Sequence, residues 1–495
     1  MNRMNTVNPA SAASSQTGPA AMRRAEAFLR RHGMYYEQID PEAELQRLMD
    51  AMEADFRQEG QTGRMIPTWI GDYHAPGKGG KAVTVIDIGG TNVRSAVITV
   101  GEDGAMRIGN LQAFRTPGVL APTDTAGFYG QIVDGVRDNL VTDEIGICFS
   151  LATIPQKDRD AVMVAGGKQI MITDMLGKKV GESFREAMRA GGLSCSARIT
   201  VVNDTVAAAL GGQAENPAGS SRQERPVGNG TGHESRHSRN ADETGGYDDD
   251  CGHNGSGGVS GNSGYSGYIG FIYGTGINMC YREKTGEWIN TEAAVYDTFL
   301  SGDLDDEFDS GLIDPGCDRL EKMVSGGYLG GLTTTVLDAA AREGVISAAT
   351  MEAIHRAVAE RERKTLHSGK GTLSARDMSD FLCDPEGDNL IAAACSSREE
   401  RQTIAAICDA VTHRSAWICA VVITAGLLRC GAKAGRQSPV FITAEGSTFY
   451  KLKGFREKLH ICMDELAGRD HGLHFEFHNV PDVILKGIAV ACLSD

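Results

Sequence analysis

Apolar residues along this chain follow two rhythms, one helical and one extended, and polar residues gather where the extended rhythm stops. After Asp40-Pro41, the residues Leu45, Leu48, Met49, Met52 and Phe56 recur at three- and four-residue spacing, which places them on one face of a helix. Asp40 is the predicted N-cap, and Pro41 stands in the first turn, where its missing N–H is not needed. Residues 82–86 and 95–100 read as two strands joined by a tight glycine turn, a β-hairpin whose turn is too polar for core. Four later strands are predicted at 145–149, 198–202, 268–273 and 440–444. They run into Ser150, Asn203-Asp204-Thr205, Gly274-Thr275-Gly276 and Glu445-Gly446-Ser447-Thr448. In α/β sheets the carboxyl ends of strands are where ligands collect, so the pattern predicts an α/β protein with a site assembled from those ends.

Two stretches lack either rhythm. Residues 1–20 are polar and small, and 213–266 is dominated by Gly, Ser, Asn, Asp and His. Neither buries enough apolar surface to offset its ordering entropy, so both are predicted to be disordered, the second as a surface insertion. His233, His237, Cys251 and His253 lie in that insertion, where a solvated loop is a better reading than a metal site.

Composition narrows the class. The 495 residues suffice for two or more domains, and 41% hydrophobic with 23% charged residues is a globular balance. No uninterrupted apolar run approaches the roughly 20 residues of a membrane span, and the first 21 residues lack the pattern of a secretory signal. A cytoplasmic protein with no membrane partner is the expectation. Lys plus Arg total 49 against 65 acids, a formal charge of −16, which argues against nucleic acid as partner but not against a nucleotide held by backbone amides. The twelve cysteines show no CxxC pair and read as reduced, mostly buried thiols.

The candidate chemistry lies in three constellations. In Asp87-Ile88-Gly89-Gly90-Thr91-Asn92-Val93-Arg94, two glycines let backbone N–H groups approach a phosphate. Thr91 and Asn92 add short donors, Arg94 adds a cation, and Asp87 can hold magnesium through water. Gly274-Thr275-Gly276-Ile277-Asn278 is a second glycine–threonine turn, which suggests two jaws around a triphosphate. Asn203-Asp204-Thr205 precedes an Ala-rich helix predicted at 206–210. A carboxylate there can accept a proton from a hydroxyl, or can simply be a helix N-cap.

In order along the chain, these pieces closely resemble the hexokinase family of the actin-like ATPase superfamily. Met65-Ile66-Pro67-Thr68 resembles its lead-in, Cys148-Phe149-Ser150 its sugar-pocket strand and Asn203-Asp204-Thr205-Val206 its catalytic motif. Ile289-Asn290-Thr291-Glu292 is similar to the segment with a sugar-binding glutamate, and Glu321-Lys322-Met323-Val324-Ser325-Gly326-Gly327-Tyr328-Leu329-Gly330 to its marker helix. Leu373-Ser374-Ala375-Arg376-Asp377-Met378-Ser379, a helix at 414–428 and the adenosine turn Ala444-Glu445-Gly446-Ser447 also have counterparts.

The resemblance implies a two-lobed, ribonuclease H-like α/β fold with a ligand cleft between the lobes. Residues 21–71 would be a helical part of the large lobe. Residues 72–210, with a terminal helix at 482–495, would form the small lobe, and 211–481 the rest of the large lobe. It implies a monomeric or homodimeric kinase that uses ATP and Mg2+ to phosphorylate a hexose, glucose above all, at its 6-hydroxyl. Asp204 would be the general base. Ser150, Lys168, Asn203, Asn278 and Glu292 would bind the sugar. Asp87, Gly89, Gly90, Thr91, Asn92, Arg94, Gly274, Thr275, Gly276, Gly446 and Ser447 would bind ATP, with Asp87 on the metal through water.

The chain departs from the pattern on the sugar side. Gly166-Gly167-Lys168-Gln169 replaces a Trp-Thr-Lys-Gly segment, Gly331 stands where a second sugar-binding glutamate is usual, and Ala293-Ala294 follows Glu292. Each lost hydrogen bond costs about 0.5–1.5 kcal/mol, so two together weaken sugar binding on the order of tenfold to a hundredfold. A non-catalytic sugar sensor that retains ATP binding is therefore the main rival. The bacterial repressor/sugar-kinase group fits less well, since no clustered cysteines follow the second turn and no helix-turn-helix precedes the first. A filament or chaperone ATPase leaves Ser150, Lys168 and Glu292 without a purpose.

Overall fold

A computed structural model describes residues 18–59, 61–73, 80–102, 104–164, 170–215, 265–365, 371–432 and 438–494. Lys168, the Gly166-Gly167 pair and most of the predicted insertion, with its histidines and Cys251, lie outside the described residues.

Two mixed sheets organise the chain. The first has the order Met106–Arg115, Asn92–Val100, Lys81–Ile88, Glu144–Phe149, Arg198–Val202. Its first three strands are antiparallel and the last two join in parallel. The second repeats the theme with Ile66–Pro67, Trp288–Asn290, Ile277–Arg282, Gly267–Tyr273, Val440–Glu445 and Phe475–His478, antiparallel on one side and parallel on the other. The inner strands Glu144–Phe149, Gly267–Tyr273 and Val440–Glu445 are near-continuous buried runs, as strands covered on both faces must be.

The sheets meet through two helices. Val483–Leu493 lies on the first sheet, Asp204–Glu215 on the second, and the helices pack against each other. Small residues permit this. A Cβ on Gly487 would stand 1.8 Å from the carbonyl oxygen of Ala207, and one on Gly270 would stand 2.1 Å from that of Thr205. Helix meets helix, and helix meets sheet, at backbone distance.

Thr125–Val136 and Val180–Ala190 cover the other face of the first sheet, and further helices bury the outer face of the second. Pro41–Phe56 forms as predicted, with the Asp40 carboxylate accepting from Ala43 N–H at 3.1 Å and Leu45, Leu48 and Met52 buried. It packs on Arg398–Arg429, the central core helix, which extends well beyond the predicted 414–428. That helix is long and apolar enough to span a membrane by length and composition, yet its apolar window is mostly buried in the core. A buried ion pair ties it in place, Arg414 donating to Asp305 at 2.7 and 3.1 Å.

Four expectations are corrected at their edges. Pro19 and Ala20, inside the predicted disorder of 1–20, are ordered, because Pro19–Arg31 is a helix whose Ala21, Ala25, Phe28 and Leu29 are buried, the helix packing on the core helix. The edges of the predicted insertion at 213–266 are ordered, since 213–215 complete the helix Asp204–Glu215 and Tyr265 packs edge-on to Phe441. The marker segment 321–330 is not one helix. Arg319–Val324 stops at Ser325, a loop carries Gly326-Gly327, and Leu329–Arg342 begins anew. Finally, the helix predicted at 206–210 starts at Asp204 with Asn203 capping it, as the next section describes.

Candidate active site

The first glycine turn is the tip of the hairpin between Lys81–Ile88 and Asn92–Val100. Gly89 N–H donates to the Asn92 carbonyl at 3.1 Å. Thr116 braces the tip from the next strand, its N–H on the Thr91 carbonyl at 3.0 Å and its hydroxyl on the Gly89 carbonyl at 2.8 Å. Gly90 is half-buried there, and Thr91 and Asn92 are left exposed. Beneath them Asp87 is only 8% exposed. Arg94, its antiparallel register partner, donates Nε and one terminal N–H to the same oxygen, Asp87 Oδ2, at 3.0 and 2.7 Å.

The second turn belongs to a glycine cluster drawn from three distant segments. Gly274 N–H donates to the Gly276 carbonyl at 2.9 Å. The carbonyls of Gly274 and Thr275 accept from Gly326 and Gly327, each at 2.9 Å, and Thr448 Oγ1 also donates to the Gly274 carbonyl at 3.0 Å. Gly446 closes the cluster at φ 114°, where an added Cβ would meet the Tyr273 carbonyl oxygen at 2.3 Å. Only glycine holds that position. Ser447 then opens the short helix Ser447–Lys451 with its side chain exposed. Thus Gly274, Thr275, Gly276, Gly446 and Ser447 are brought together. Gly326-Gly327 joins them, and the signal for it was a Gly-Gly pair inside a segment read as helix.

Between the two turns lies an acidic floor. Asn203 Oδ1 accepts from Thr205 N–H at 2.9 Å and from the Thr205 hydroxyl, so Asn203 is the cap and its acceptor lone pairs are committed. A sugar hydroxyl can meet only its amide nitrogen. Asp204 is the first helical residue, with Oδ1 accepting from Thr205 N–H at 2.8 Å. Burial pushes the Asp204 carboxyl up to about 6, the Asp87 charge adding to the rise and hydrogen bonds from Thr205 and Ser150 opposing it. Cys148, the register partner of Asp87 on the adjacent parallel strand, is fully buried, and burial holds its thiol protonated.

Glu292 faces Asp204. Its backbone is left-handed at φ 48°, and Asn290 Nδ2 donates to its Oε1 at 2.7 Å. Asn278 Nδ2 in turn donates to Asn290 Oδ1 at 2.9 Å, while Asn278 Oδ1 accepts the N–H groups of Met279 and Ala293 at 2.7 and 3.1 Å. Burial raises the Glu292 carboxyl to about 7, with the charges of Asp204, Glu321 and Asp318 contributing. Ser150, Asn203, Asp204, Asn278 and Glu292 therefore form one polar patch, with Asn290 as an inner support that sequence reasoning did not single out. Glu445 and Asp482 were also missed as site residues, and both join the Asp87–Arg94 pair.

Gly331 was read as a gap in the sugar pocket. It is buried in Leu329–Arg342, and a Cβ there would strike the Phe308 ring at 2.8 and 3.0 Å. Phe308, edge-on to Tyr328, fills the space the missing side chain leaves.

As for a metal, no group of three or more His, Cys, Asp or Glu side chains among the described residues can hold one ion. Asp87 is a single hard carboxylate beside a phosphate-sized turn, which fits Mg2+, an ion that keeps several waters and binds chiefly through phosphate oxygens.

Comparison with known proteins bears on the family and the fold. Two family models, each described as Hexokinase, match residues 35–214 and 268–494. The chain is similar to Hexokinase-2 of Rattus norvegicus, 24% identical over 435 residues, covering 82% of this chain and 41% of that protein. It is similar to Hexokinase-1 of Schizosaccharomyces pombe, 23% identical over 446 residues, covering 82% of this chain and 78% of that one. It spans about two-fifths of the length of the first of these relatives. In fold it is similar to the hexokinase from Schistosoma mansoni complexed with glucose, with a TM-score of 0.67 at 18% identity over 96% of this chain and 99% of that one.

Proposed function

The chain belongs to the hexokinase family, and from that premise we propose that it transfers the γ-phosphoryl group of ATP to the 6-hydroxyl of a hexose, with Asp204 as general base. The observation that carries this reading is the Asp204 carboxyl, fixed at a helix start between two glycine turns and raised to about 6. A base of that strength is ionised at neutral pH yet basic enough to take a hydroxyl proton as the oxygen becomes nucleophilic.

The steps divide among the residues described. Glu292 and the amides of Asn278 and Asn203, with the Ser150 hydroxyl, offer hydrogen-bond partners to the sugar's secondary hydroxyls and aim its primary one at Asp204. The hydroxyl oxygen attacks the γ-phosphorus, the bond to the ADP oxygen breaks, and the proton passes to Asp204. The glycine turns at 89–90 and 274–276 bring backbone N–H groups against the phosphates without side-chain obstruction. Asp87 would hold magnesium that arrives with the nucleotide, and the ion would supply neutralisation of phosphate charge. Such transfer asks chiefly for positioning and charge balance. Closure of the cleft would keep water from competing as acceptor.

The test is a coupled ADP-release assay with Mg·ATP across glucose, mannose, fructose, glucosamine and N-acetylglucosamine. At least one hexose should give sugar-dependent ADP. With Asp204 as base, kcat should climb as pH rises through about 6, because the carboxyl must lose its proton first. No phosphorylated product from any hexose, with nucleotide still bound, would instead favour the non-catalytic sensor. The Phe308 ring beside Gly331 is the observation on that side.

A further inference from the structure

Arg94 was expected to face phosphate, yet its guanidinium is spent on a carboxylate. Two of its N–H groups converge on Asp87 Oδ2 at 3.0 and 2.7 Å. Its remaining terminal nitrogen stands 4.0 Å from Asp482 Oδ1, at the start of the helix Val483–Leu493. Glu445, at the end of a strand of the second sheet, adds its charge to the same cluster. One cation thus serves three carboxylates drawn from both sheets and the helix between them. The arginine side chain is 39% exposed while that of Asp87 is 12% exposed, so the guanidinium has a path outward and the carboxylate does not.

We propose that Arg94 is an exchangeable counter-ion that guards Asp87: it occupies the carboxylate while no nucleotide is bound and moves to the phosphates when metal and nucleotide arrive together. The inference rests on the kinase reading above. Its logic is charge balance. A bare divalent cation reaching Asp87 must displace a guanidinium that has no better partner, and the displaced charge is left beside the metal. A cation that arrives with a polyphosphate brings that partner along, since guanidinium pairs with phosphate oxygens at least as well as with carboxylate. Metal and nucleotide therefore bind with positive coupling, each weak without the other. The lack of any three-ligand acidic group among the described residues is consistent, because the second half of the coordination has to come from the nucleotide.

The probe is Mn2+ alone, titrated by electron paramagnetic resonance without nucleotide against the full chain, Arg94→Met, Arg94→Lys and the double variant Asp87→Asn/Arg94→Met. Arg94→Met should bind Mn2+ on the order of tenfold more tightly than the wild type. Arg94→Lys, which keeps the charge but cannot place two N–H groups on one oxygen, should tighten it by less, and this variant carries the test if the methionine one does not fold. The double variant should return to wild-type affinity or weaker. Equal Mn2+ affinity in wild type and both single variants overturns the proposal, as does a gain that survives the loss of Asp87. A separate titration with Mg2+ and a non-hydrolysable ATP analogue keeps the two readings apart. Absence of analogue binding sinks the kinase reading, while the Mn2+ series still decides whether Arg94 guards Asp87.

Discussion

The two walls of the candidate site are built from different material. The glycine wall is made of backbone: Gly274, Thr275, Gly326 and Gly327 interlock through carbonyls and N–H groups, and at Gly326, Gly327 and Gly446 neighbouring atoms leave no room for a side chain. The polar wall is made of side chains: Asn278 donates to Asn290 and Asn290 to Glu292, while the side chains of Asn203 and Asp204 accept from Thr205. A backbone site tolerates few changes, because each glycine is fixed by sterics. A side-chain site can lose one member and refill the space, as Phe308 does beside Gly331. This contrast teaches where the chain is constrained and where its specificity is free to drift.

The comparison can be broken most forcefully at Asp204. Asp204→Asn keeps the shape and the Thr205 hydrogen bond but removes the base, so kcat should fall by about 10²–10⁴ with nucleotide affinity almost unchanged. A rapid-quench assay beside calorimetry with an ATP analogue separates the two quantities. Retained turnover would place the base elsewhere.

Next in size is the glycine wall itself. Gly446→Ala forces a Cβ toward the Tyr273 carbonyl at a φ of 114°, at a cost of about 2 kcal/mol or more. Nucleotide affinity and thermal stability should both drop, while sugar affinity measured by tryptophan fluorescence stays within about twofold. If sugar binding fell equally, the two walls would not be separable.

Smaller effects are expected at the refilled position. From sequence, Gly331→Glu looks like restoration of a lost hydrogen bond. In the structure it is overpacking, because the new side chain meets the Phe308 ring first. The single variant should be destabilised by about 1–3 kcal/mol with no gain in sugar affinity. Phe308→Ala/Gly331→Glu should recover much of that stability and give any gain its chance to appear. Tighter sugar binding by the single variant would mean that the ring yields easily.

The same two walls explain what was legible in the chain. Strand ends and glycine turns announce themselves locally, so the hairpin at 87–94, Gly274-Thr275-Gly276 and Glu445-Gly446 were all placed by periodicity and composition. The N-cap was harder, since the sequence offers the Asp204 carboxylate for it and only the hydrogen bonds of Thr205 give that role to Asn203. Asp482 and Glu445 were not legible as site residues, because their roles come from packing between strands and a helix far apart in sequence. Gly331 was legible as a departure, but its cause, a ring on the helix Asp303–Ser310, was not.

The finest test of the polar wall is Glu292→Gln, where the sign can be worked through. Burial raises the Glu292 carboxyl to about 7, against about 4.3 for an unfolded glutamate. Folding therefore takes up a proton between these values. The stabilisation tied to that proton is complete below about pH 4 and is lost as pH rises through about 7. At pH 8 the native state carries a poorly solvated charge near Asp204, Glu321 and Asp318. Glutamine removes that charge, and its Oε1 can still accept the Asn290 N–H that now lies 2.7 Å away. The variant should thus be more stable than the wild type at pH 8, by about 1–2 kcal/mol after allowance for partial solvation. At pH 4.5 the difference should shrink toward zero, because both side chains are then neutral. Urea melts at the two pH values measure it directly. A variant that is less stable at pH 8 would mean that the charge is compensated within the wall. The polar wall would then be as tightly constrained as the glycine one.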